Sequence, residues 1–245
     1  MIDFFVQLLL LLNKALFNNL GLTIIFIGVI SRAVFHPFLA SSLRYTKAMR
    51  DLKPRLDEAK TKHGGDMRRL AAEQSRLFRE AGINPASGAF SCFGFIIQAG
   101  VFILLFQSLN KIIASGVETH FLFWELDKPD TWQIKGLEIA LPGVLVILTA
   151  ILTFVQSKML LPPSTSKPAP GKRGEDKGGF SEALVASQSQ MAYLTPLLIL
   201  VIGVRFASGL SLYWLVSTFF GIIQQYAISG AGGLNLWLLK SPTKK

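Results

Sequence analysis

The sequence predicts an all-α polytopic membrane protein, and three observations lead to that fold class. Of its 245 residues, 51% are hydrophobic and only 16% are charged, and the mean hydropathy is +0.44. The apolar residues collect in five long segments, and most of the basic residues lie between those segments. A soluble domain of this size carries more charge, so the composition is typical of a protein with several membrane spans.

Five apolar segments reach the length of roughly 20 residues that a helix needs to cross the hydrocarbon of a bilayer. Because backbone polar groups cannot stay unpaired in lipid, each segment is predicted to be a helix. The fourth and fifth meet at Ala207-Ser208-Gly209 and should form a tight helical hairpin. The five predicted spans are residues 20–39, 90–113, 137–159, 191–207 and 209–228.

Residues 1–19 are expected to form an amphipathic helix in the membrane interface. Their apolar stretch is short for a span, and Asn13 and Lys14 follow it directly. The stretch also has neither the basic region nor the small-residue cleavage site of a secretory signal peptide. An interfacial helix that leads into the first span accounts for both features.

Residues 41–83 are predicted to form a cytosolic hairpin of two antiparallel helices. Apolar residues recur at helical spacing on both sides of a break at His63-Gly64-Gly65-Asp66, and Asn84-Pro85 ends the pattern. A solvated connector held by salt bridges is the alternative for this segment. Residues 160–190 are rich in Pro, Gly and Lys and are typical of a disordered linker.

The charges between the spans predict the orientation of the chain. Residues 41–88 contain eleven Lys or Arg, and the linker 160–190 and the tail 229–245 carry further basic residues, whereas the loop 114–136 has two Lys against four acidic residues. The positive-inside rule then places the N-terminus and the loop 114–136 outside, and the C-terminus in the cytoplasm, of a plasma membrane. The net charge of +10 fits contact with anionic lipids and not a direct nucleic-acid function.

Arg32 is informative because it lies inside the first predicted span. A guanidinium stays charged, and placing one at the centre of a spanning helix costs about 2.5–3.5 kcal/mol. The interiors of the five segments contain no Asp or Glu, so an ion pair between spans is the least favoured compensation. We therefore expect Arg32 to face a water-filled recess and to attract an acidic group of another molecule.

The few other polar residues in the spans are aligned by helical spacing. In the third span Thr149 and Thr153 share a face with a glutamine, and in the fifth Gly221 shares a face with three polar residues. Each side chain alone more often joins helices by hydrogen bonds. Together with an arginine they predict a hydrophilic groove that opens to the cytosol. The predicted groove residues are Arg32, Gln98, Gln156, Trp214, Ser217 and Gln224.

The sequence predicts no catalytic residues, no cofactor and no metal site. The single cysteine, Cys92, excludes an internal disulfide and should pack as a small apolar residue in the second span. His36, His63 and His120 are scattered and have no carboxylate pair nearby in the sequence. The glycine-rich segment 171–179 lacks the spacing of a phosphate-binding loop.

Several short motifs give the chain a resemblance to a known family. Each motif alone is weak, but their order and spacing together are specific. The chain resembles the YidC family of membrane protein insertases over nearly its whole length, from about Phe4 to Ile228. The motifs are Ile30-Ser31-Arg32 followed by Pro37, then Met49 to Pro54, Asn84-Pro85, Phe95 to Gln98, Phe154 to Lys158, Ser208 to Trp214 and Ile222 to Gln225.

The resemblance implies five core helices around a groove that is open to cytosol and lipid and closed on the outside. Arg32 would be the positive charge of this groove, and residues 41–83 would be a mobile hairpin. The implied function is insertion of membrane proteins with short external tails, whose acidic residues Arg32 would attract. Gly94 and Gly100 stand where prolines are typical of the family, which affects the expected packing of the second span.

The resemblance also implies partners. These are nascent membrane proteins, membrane lipids, and ribosomes or targeting factors bound by the basic hairpin and tail; a Sec-type translocon stays open as a further partner. Two other functions remain alternatives at this level. One is a small-anion transporter or channel subunit in which Arg32 binds the anion, although the chain shows no inverted repeat. The other is a structural assembly factor for larger membrane complexes.

Overall fold

The computed structural model describes residues 2–82, 87–133, 140–161 and 180–234. Within them the chain is mostly helical, with eight α-helices and four strands of two residues each. The helices are α1 (Ile2–Ala15), α2 (Leu20–Val34), α3 (His36–His63), α4 (Met67–Glu80), α5 (Ser87–Ala114), α6 (Val144–Leu160), α7 (Phe180–Gly203) and α8 (Ser208–Ser229). The strands are β1 (His120–Phe121), β2 (Trp124–Glu125), β3 (Thr131–Trp132) and β4 (Leu141–Pro142), and a 3-10 turn, Gly232–Leu234, follows α8.

Some of the sequence predictions fall outside the described residues. They include the helix end at Asn84-Pro85, the packing of Cys92, most of the basic tail 229–245 and residues 162–179 of the predicted linker. Residues 180–190 of that linker differ from the prediction, since they form the first turns of α7. The prolines and glycines that suggested disorder end at Gly179, and helix-compatible residues such as Glu182, Ala183 and Leu184 follow.

The chain divides into two compact units. The first comprises Met1–His36, Ile96–Ser157 and Gln190–Ile223, and the second comprises Pro37–Phe95, Lys158–Ser189 and Gln224–Lys245. The core of the first unit joins α2, α5 and α8. Its buried side chains include Leu20 and Ile24 of α2, Leu105 and Leu109 of α5, and Leu210 and Tyr213 of α8.

α1 and α2 meet at a bend of 117°. Phe17 and Asn18 form this bend with positive φ angles of 60° and 55°, and the Asn19 side chain caps α2 by accepting a hydrogen bond from Leu22 N at 3.0 Å. The buried side chains of Asn13 and Thr23 hydrogen-bond across the bend at 3.2 Å. The asparagines that follow the N-terminal apolar stretch therefore build the corner between the two helices.

The first predicted span, 20–39, is interrupted in the structure. α2 ends at Val34, and α3 begins at His36 and continues through His63. Pro37 explains the break, because a proline has no N–H to donate to the preceding turn and its ring disfavours helical geometry in the residue before it. The apolar residues alone gave no reason to separate 36–39 from the rest of that span.

The described part of the loop 114–136, residues 114–133, contains three short strands, and a fourth lies at Leu141–Pro142 inside the predicted third span, so the all-α prediction is incomplete here. β1 pairs with β2, and β3 pairs with β4, each in antiparallel register. The buried Asp130 carboxylate accepts hydrogen bonds from Leu145 N at 2.6 Å and from Trp124 Nε1 at 3.1 Å. This carboxylate supplies an acceptor for the otherwise unbonded first turn of α6. Two-residue strands fixed by such contacts leave no periodic pattern in the sequence.

In the second unit, α3 and α4 form a helical hairpin. The turn between them contains Gly64 and Gly65, and Asp66 caps α4 by accepting hydrogen bonds from Arg68 N and Arg69 N. The two helices share a core of buried apolar residues and are further linked by an ion pair between Arg55 and Glu80 at 3.0 Å. The core residues are Leu52, Ala59, Leu70 and Leu77.

Length and apolarity alone identify few spanning helices in the described residues. Ile96–Ala114 is long and apolar enough to cross a membrane, and the bent pair α1–α2 passes the same criterion if it is counted as one span. α6 and the apolar part of α7, Ala192–Gly203, are shorter apolar helices. The helical architecture is thus established, whereas the number of five spans stays a prediction.

Candidate functional site

Arg32 lies in the last turn of α2 and is partly buried within the first unit. Its Nε donates a hydrogen bond to the Ser217 Oγ of α8 at 2.9 Å. The last turn of a helix carries unsatisfied carbonyl groups and the negative end of the helix dipole, which favour a positive charge there. The position of the break after Val34 therefore also sets the electrostatic surroundings of Arg32.

A polar chain continues from Arg32 across α8 to α5. Ser217 is fully buried, and its Oγ lies 3.5 Å from the Gln98 Oε1 of α5. Gln98 Nε2 in turn donates to the Tyr213 hydroxyl, one turn before Ser217 on α8, at 3.3 Å. Three helices thus contribute one connected group of side chains, in which each buried polar atom gains a partner.

Gly221 brings the fourth helix into this group. A Cβ atom placed on Gly221 would lie 2.6 Å from the Gln156 Nε2 of α6 and 3.0 Å from the Arg32 guanidinium carbon. Two polar side chains, from α6 and from α2, therefore lie directly against the bare backbone of α8. Any larger residue at position 221 would have to displace them.

The structure brings together four of the six predicted groove residues: Arg32, Gln98, Gln156 and Ser217. Trp214 lies elsewhere in the first unit, where its ring packs edge-on against Phe102 at a centroid distance of 5.4 Å and against the apolar cluster of Val146, Ala150 and Ile199. Gln224 is partly buried and belongs to the second unit.

Tyr213 belongs to the site, although the sequence analysis did not select it. Its ring is buried, a Cβ on Gly28 would lie 3.7 Å from its Cδ2, and its hydroxyl receives the hydrogen bond from Gln98. The available signal was the spacing of four residues in Tyr213, Ser217 and Gly221, which places all three on one face of α8. The sequence prediction instead placed Trp214, Ser217, Gly221 and Gln224 on one face, with spacings of three and four residues.

The site combines one formal positive charge with neutral hydrogen-bonding groups. Within the described residues, no three His, Cys, Asp or Glu side chains come together as a metal-binding group. Amide, hydroxyl and guanidinium groups in a largely apolar surrounding can bind and orient an acidic group, because electrostatic attraction is stronger where little water screens it. A helical membrane protein with a cationic polar cluster between its helices is the class that this fold and this site define.

Comparison with known proteins identifies the family. The model of the 60Kd inner membrane protein family matches residues 12–232, so the chain belongs to this inner-membrane family, and the resemblance to YidC proteins seen in the motifs is confirmed. The membrane protein insertase MisCA of Bacillus subtilis is 27% identical over 228 residues, covering 91% of this chain and 76% of that protein.

Two further relatives carry the name membrane protein insertase YidC. The protein of Fusobacterium nucleatum is 28% identical over 215 residues, which are 88% of each chain. The protein of Syntrophobacter fumaroxidans is 30% identical over 217 residues, which are 86% of this chain but only 35% of that protein. The chain therefore spans most of the length of some relatives and about a third of the length of others.

Proposed function

We propose that the chain is a membrane protein insertase that uses the cluster around Arg32 to receive acidic residues of a substrate tail. The observation that carries this proposal is the convergence of Arg32, Ser217, Gln98 and Gln156 from four helices in one place. Membership in a family whose relatives are named insertases supports the same function.

In this mechanism, a short membrane protein presents its external tail to the groove from the cytosolic side. Ser217 holds the Nε edge of the Arg32 guanidinium in a fixed orientation, so the cation is positioned before the substrate arrives. An Asp or Glu of the tail is attracted to this charge, and the attraction is stronger in the membrane interior than in water. Hydration of the polar cluster lowers the cost of moving the tail out of bulk water.

The apolar helix of the substrate then leaves the groove sideways into lipid. Burial of its apolar side chains in the hydrocarbon supplies the driving force of this step. The membrane potential assists the outward movement of negative charge by about 2.3 kcal/mol per charge per 100 mV. Neither step requires covalent chemistry from the chain.

The proposal includes five spans at 20–39, 90–113, 137–159, 191–207 and 209–228, with the N-terminus outside and the C-terminus in the cytoplasm. Trp214 and Gln224 stay groove residues by prediction from the sequence. The basic α3–α4 hairpin and the tail 229–245 would contact ribosomes, targeting factors or anionic lipids, since their positive charges suit partners with phosphate groups.

Substitution of Arg32 tests the proposed function directly. The purified chain is reconstituted in liposomes, and insertion is measured for a single-span substrate with an acidic tail and for the same substrate with a neutral tail. Arg32→Ala should abolish insertion of the acidic-tail substrate, because the attracting charge is lost, whereas Arg32→Lys should retain it. The neutral-tail substrate should depend much less on position 32.

Equal insertion by the unsubstituted chain and both variants would contradict the role of Arg32. A parallel assay of anion flux in the same liposomes separates the insertase from a small-anion transporter. Flux that requires Arg32, without protein insertion, would favour the transporter and overturn the proposed function.

A further inference from the structure

The tip of the β1–β2 hairpin exposes two large apolar side chains. Leu122 and Phe123 are 66% and 73% exposed, and Leu122 also has a positive φ of 55°. A branched apolar residue is strained in this backbone region, where glycine or asparagine is the usual choice. The chain thus retains a large apolar residue where both the solvent and the backbone disfavour it, which indicates that another medium covers the tip.

The base of this hairpin is packed within the first unit. His120 pairs with Glu125, and Phe121 pairs with Trp124. The Phe121 ring lies directly against Gly21 of α2, where an added Cβ atom would collide with the ring. Leu126, directly after β2, is completely buried. The tip therefore projects from a base that is held by strand pairing, by the contact of Phe121 with Gly21 and by the buried Leu126. The exposure of Leu122 and Phe123 follows from this packing.

The base of the hairpin lies near the start of the first predicted span and the end of the second. Gly21, which the Phe121 ring contacts, is in the first turn of α2. α5 ends at Ala114, shortly before the hairpin. Phe17, at the bend before α2, is 88% exposed and also has a positive φ. Two separate turns at this level thus present a strained, exposed, large apolar residue.

We infer that Leu122, Phe123 and Phe17 form an apolar rim that inserts into the outer leaflet of the membrane, between the headgroups and the acyl chains. The occupant of this surface is lipid, because the chain belongs to an inner-membrane family and because α1, which ends two residues before Phe17, also exposes large apolar side chains such as Phe4 and Leu11. The strand residues nearest the tip, His120 and Glu125, give no cluster of positive charge. Insertion should therefore depend on burial of apolar area and not on anionic headgroups.

This inference rests on the membrane location of the family and is independent of the insertase activity. Insertion of the rim would hold the outer ends of α2 and α5 at a fixed depth in the leaflet. The outer side of the protein would then be anchored by side chains that belong to neither a span nor the polar cluster.

An environment-sensitive probe at the tip tests the inference. In a Cys92→Ser background, which removes the only cysteine, Phe123→Cys is labelled with a nitrobenzoxadiazole fluorophore and reconstituted in phosphatidylcholine vesicles. We expect a blue-shifted emission and strong quenching by lipids that carry a nitroxide near the headgroup, with weaker quenching by a nitroxide deep in the acyl chains. Replacing part of the phosphatidylcholine with phosphatidylglycerol should not change either result.

Glu118→Cys, at an exposed position just before the hairpin, is the matched control and should give the emission of a fully hydrated probe. Leu122→Gly in the Phe123→Cys chain should weaken quenching by several-fold while leaving thermal unfolding unchanged or improved, because glycine adopts this φ without strain. A hydrated emission at position 123 in protein–lipid vesicles would overturn the inference and would leave a protein partner as the occupant of the rim.

Discussion

At the scale of single residues, the cluster depends on a glycine as much as on its charge. Gly221→Ala would push a methyl group against Gln156 Nε2 and the Arg32 guanidinium. Both contacts are the flexible ends of long side chains, and alanine in a helix gains roughly 1 kcal/mol over glycine. We therefore expect unchanged or higher thermal stability together with a several-fold loss of acidic-tail insertion, measured in the liposome assay.

Gly100→Ala is the matched control for this prediction, because a Cβ atom on Gly100 of α5 meets open space. That variant should gain helix stability and keep its insertion activity. Full activity of Gly221→Ala would mean that the position of the guanidinium against α8 has no bearing on function.

The residues of the cluster differ in how well the sequence predicts them. Arg32, Gln98 and Ser217 stand out because polar groups are rare and costly in apolar segments, so their presence alone signals a shared interior surface. The rarity of polar groups does not show whether Tyr213 or Trp214 faces the cluster. Both are amphipathic aromatics, and which of them faces the cluster depends on how α8 is rotated against α2 and α5, a property of tertiary packing.

At the scale of elements, a buried arginine joins three parts of the second unit. Arg50 of α3 has a side chain only 9% exposed. Its two terminal nitrogens donate to the Met159 carbonyl at 3.1 Å and to the Ser229 carbonyl at 2.8 Å. Met159 lies in the last turn of α6, and Ser229 is the last residue of α8. Carbonyl groups in the last turn of a helix have no partner within that helix. One guanidinium thus caps two helix ends from a third helix.

Arg50→Gln should therefore destabilise the protein by about 2–4 kcal/mol, because a charged donor to two buried carbonyls is lost. The measurement is unfolding of the purified chain in detergent, followed by circular dichroism. Arg55→Gln is the matched control on the same helix. Arg55 is exposed and pairs with Glu80, so its loss should cost less than about 1 kcal/mol. Similar costs for the two variants would contradict the capping role of Arg50.

The hairpin itself was predictable, but the role of Arg50 was not. Leu52, Ala59, Leu70 and Leu77 repeat at helical spacing, and a glycine pair separates the two helices, so local pattern was sufficient. Arg50 is one of eleven basic residues between positions 41 and 88. Nothing in its neighbours distinguishes it, because its partners lie more than a hundred residues further along the chain.

At the scale of the whole molecule, helix length constrains the proposed five-span arrangement. α6 has 17 residues, which corresponds to about 25 Å at 1.5 Å per residue. The hydrocarbon of a typical bilayer is about 30 Å thick. Local thinning of the bilayer is one way in which a span of this length is accommodated. A thinner bilayer beside the polar cluster would also shorten the path of a substrate tail, so the short helices suit the proposed insertase.

Membrane orientation is the property of the whole chain that charge predicts and packing does not. The net charge of +10 is concentrated in segments predicted to be cytosolic. In a Cys92→Ser background, Lys128→Cys in the outer loop should react with a membrane-impermeant maleimide in right-side-out vesicles. Glu58→Cys in the hairpin should react only in inverted vesicles. Both positions are exposed in the structure, so a lack of reaction reports on the membrane and not on burial. The reverse pattern would place the Arg32 cluster on the wrong side for a cytosolic substrate.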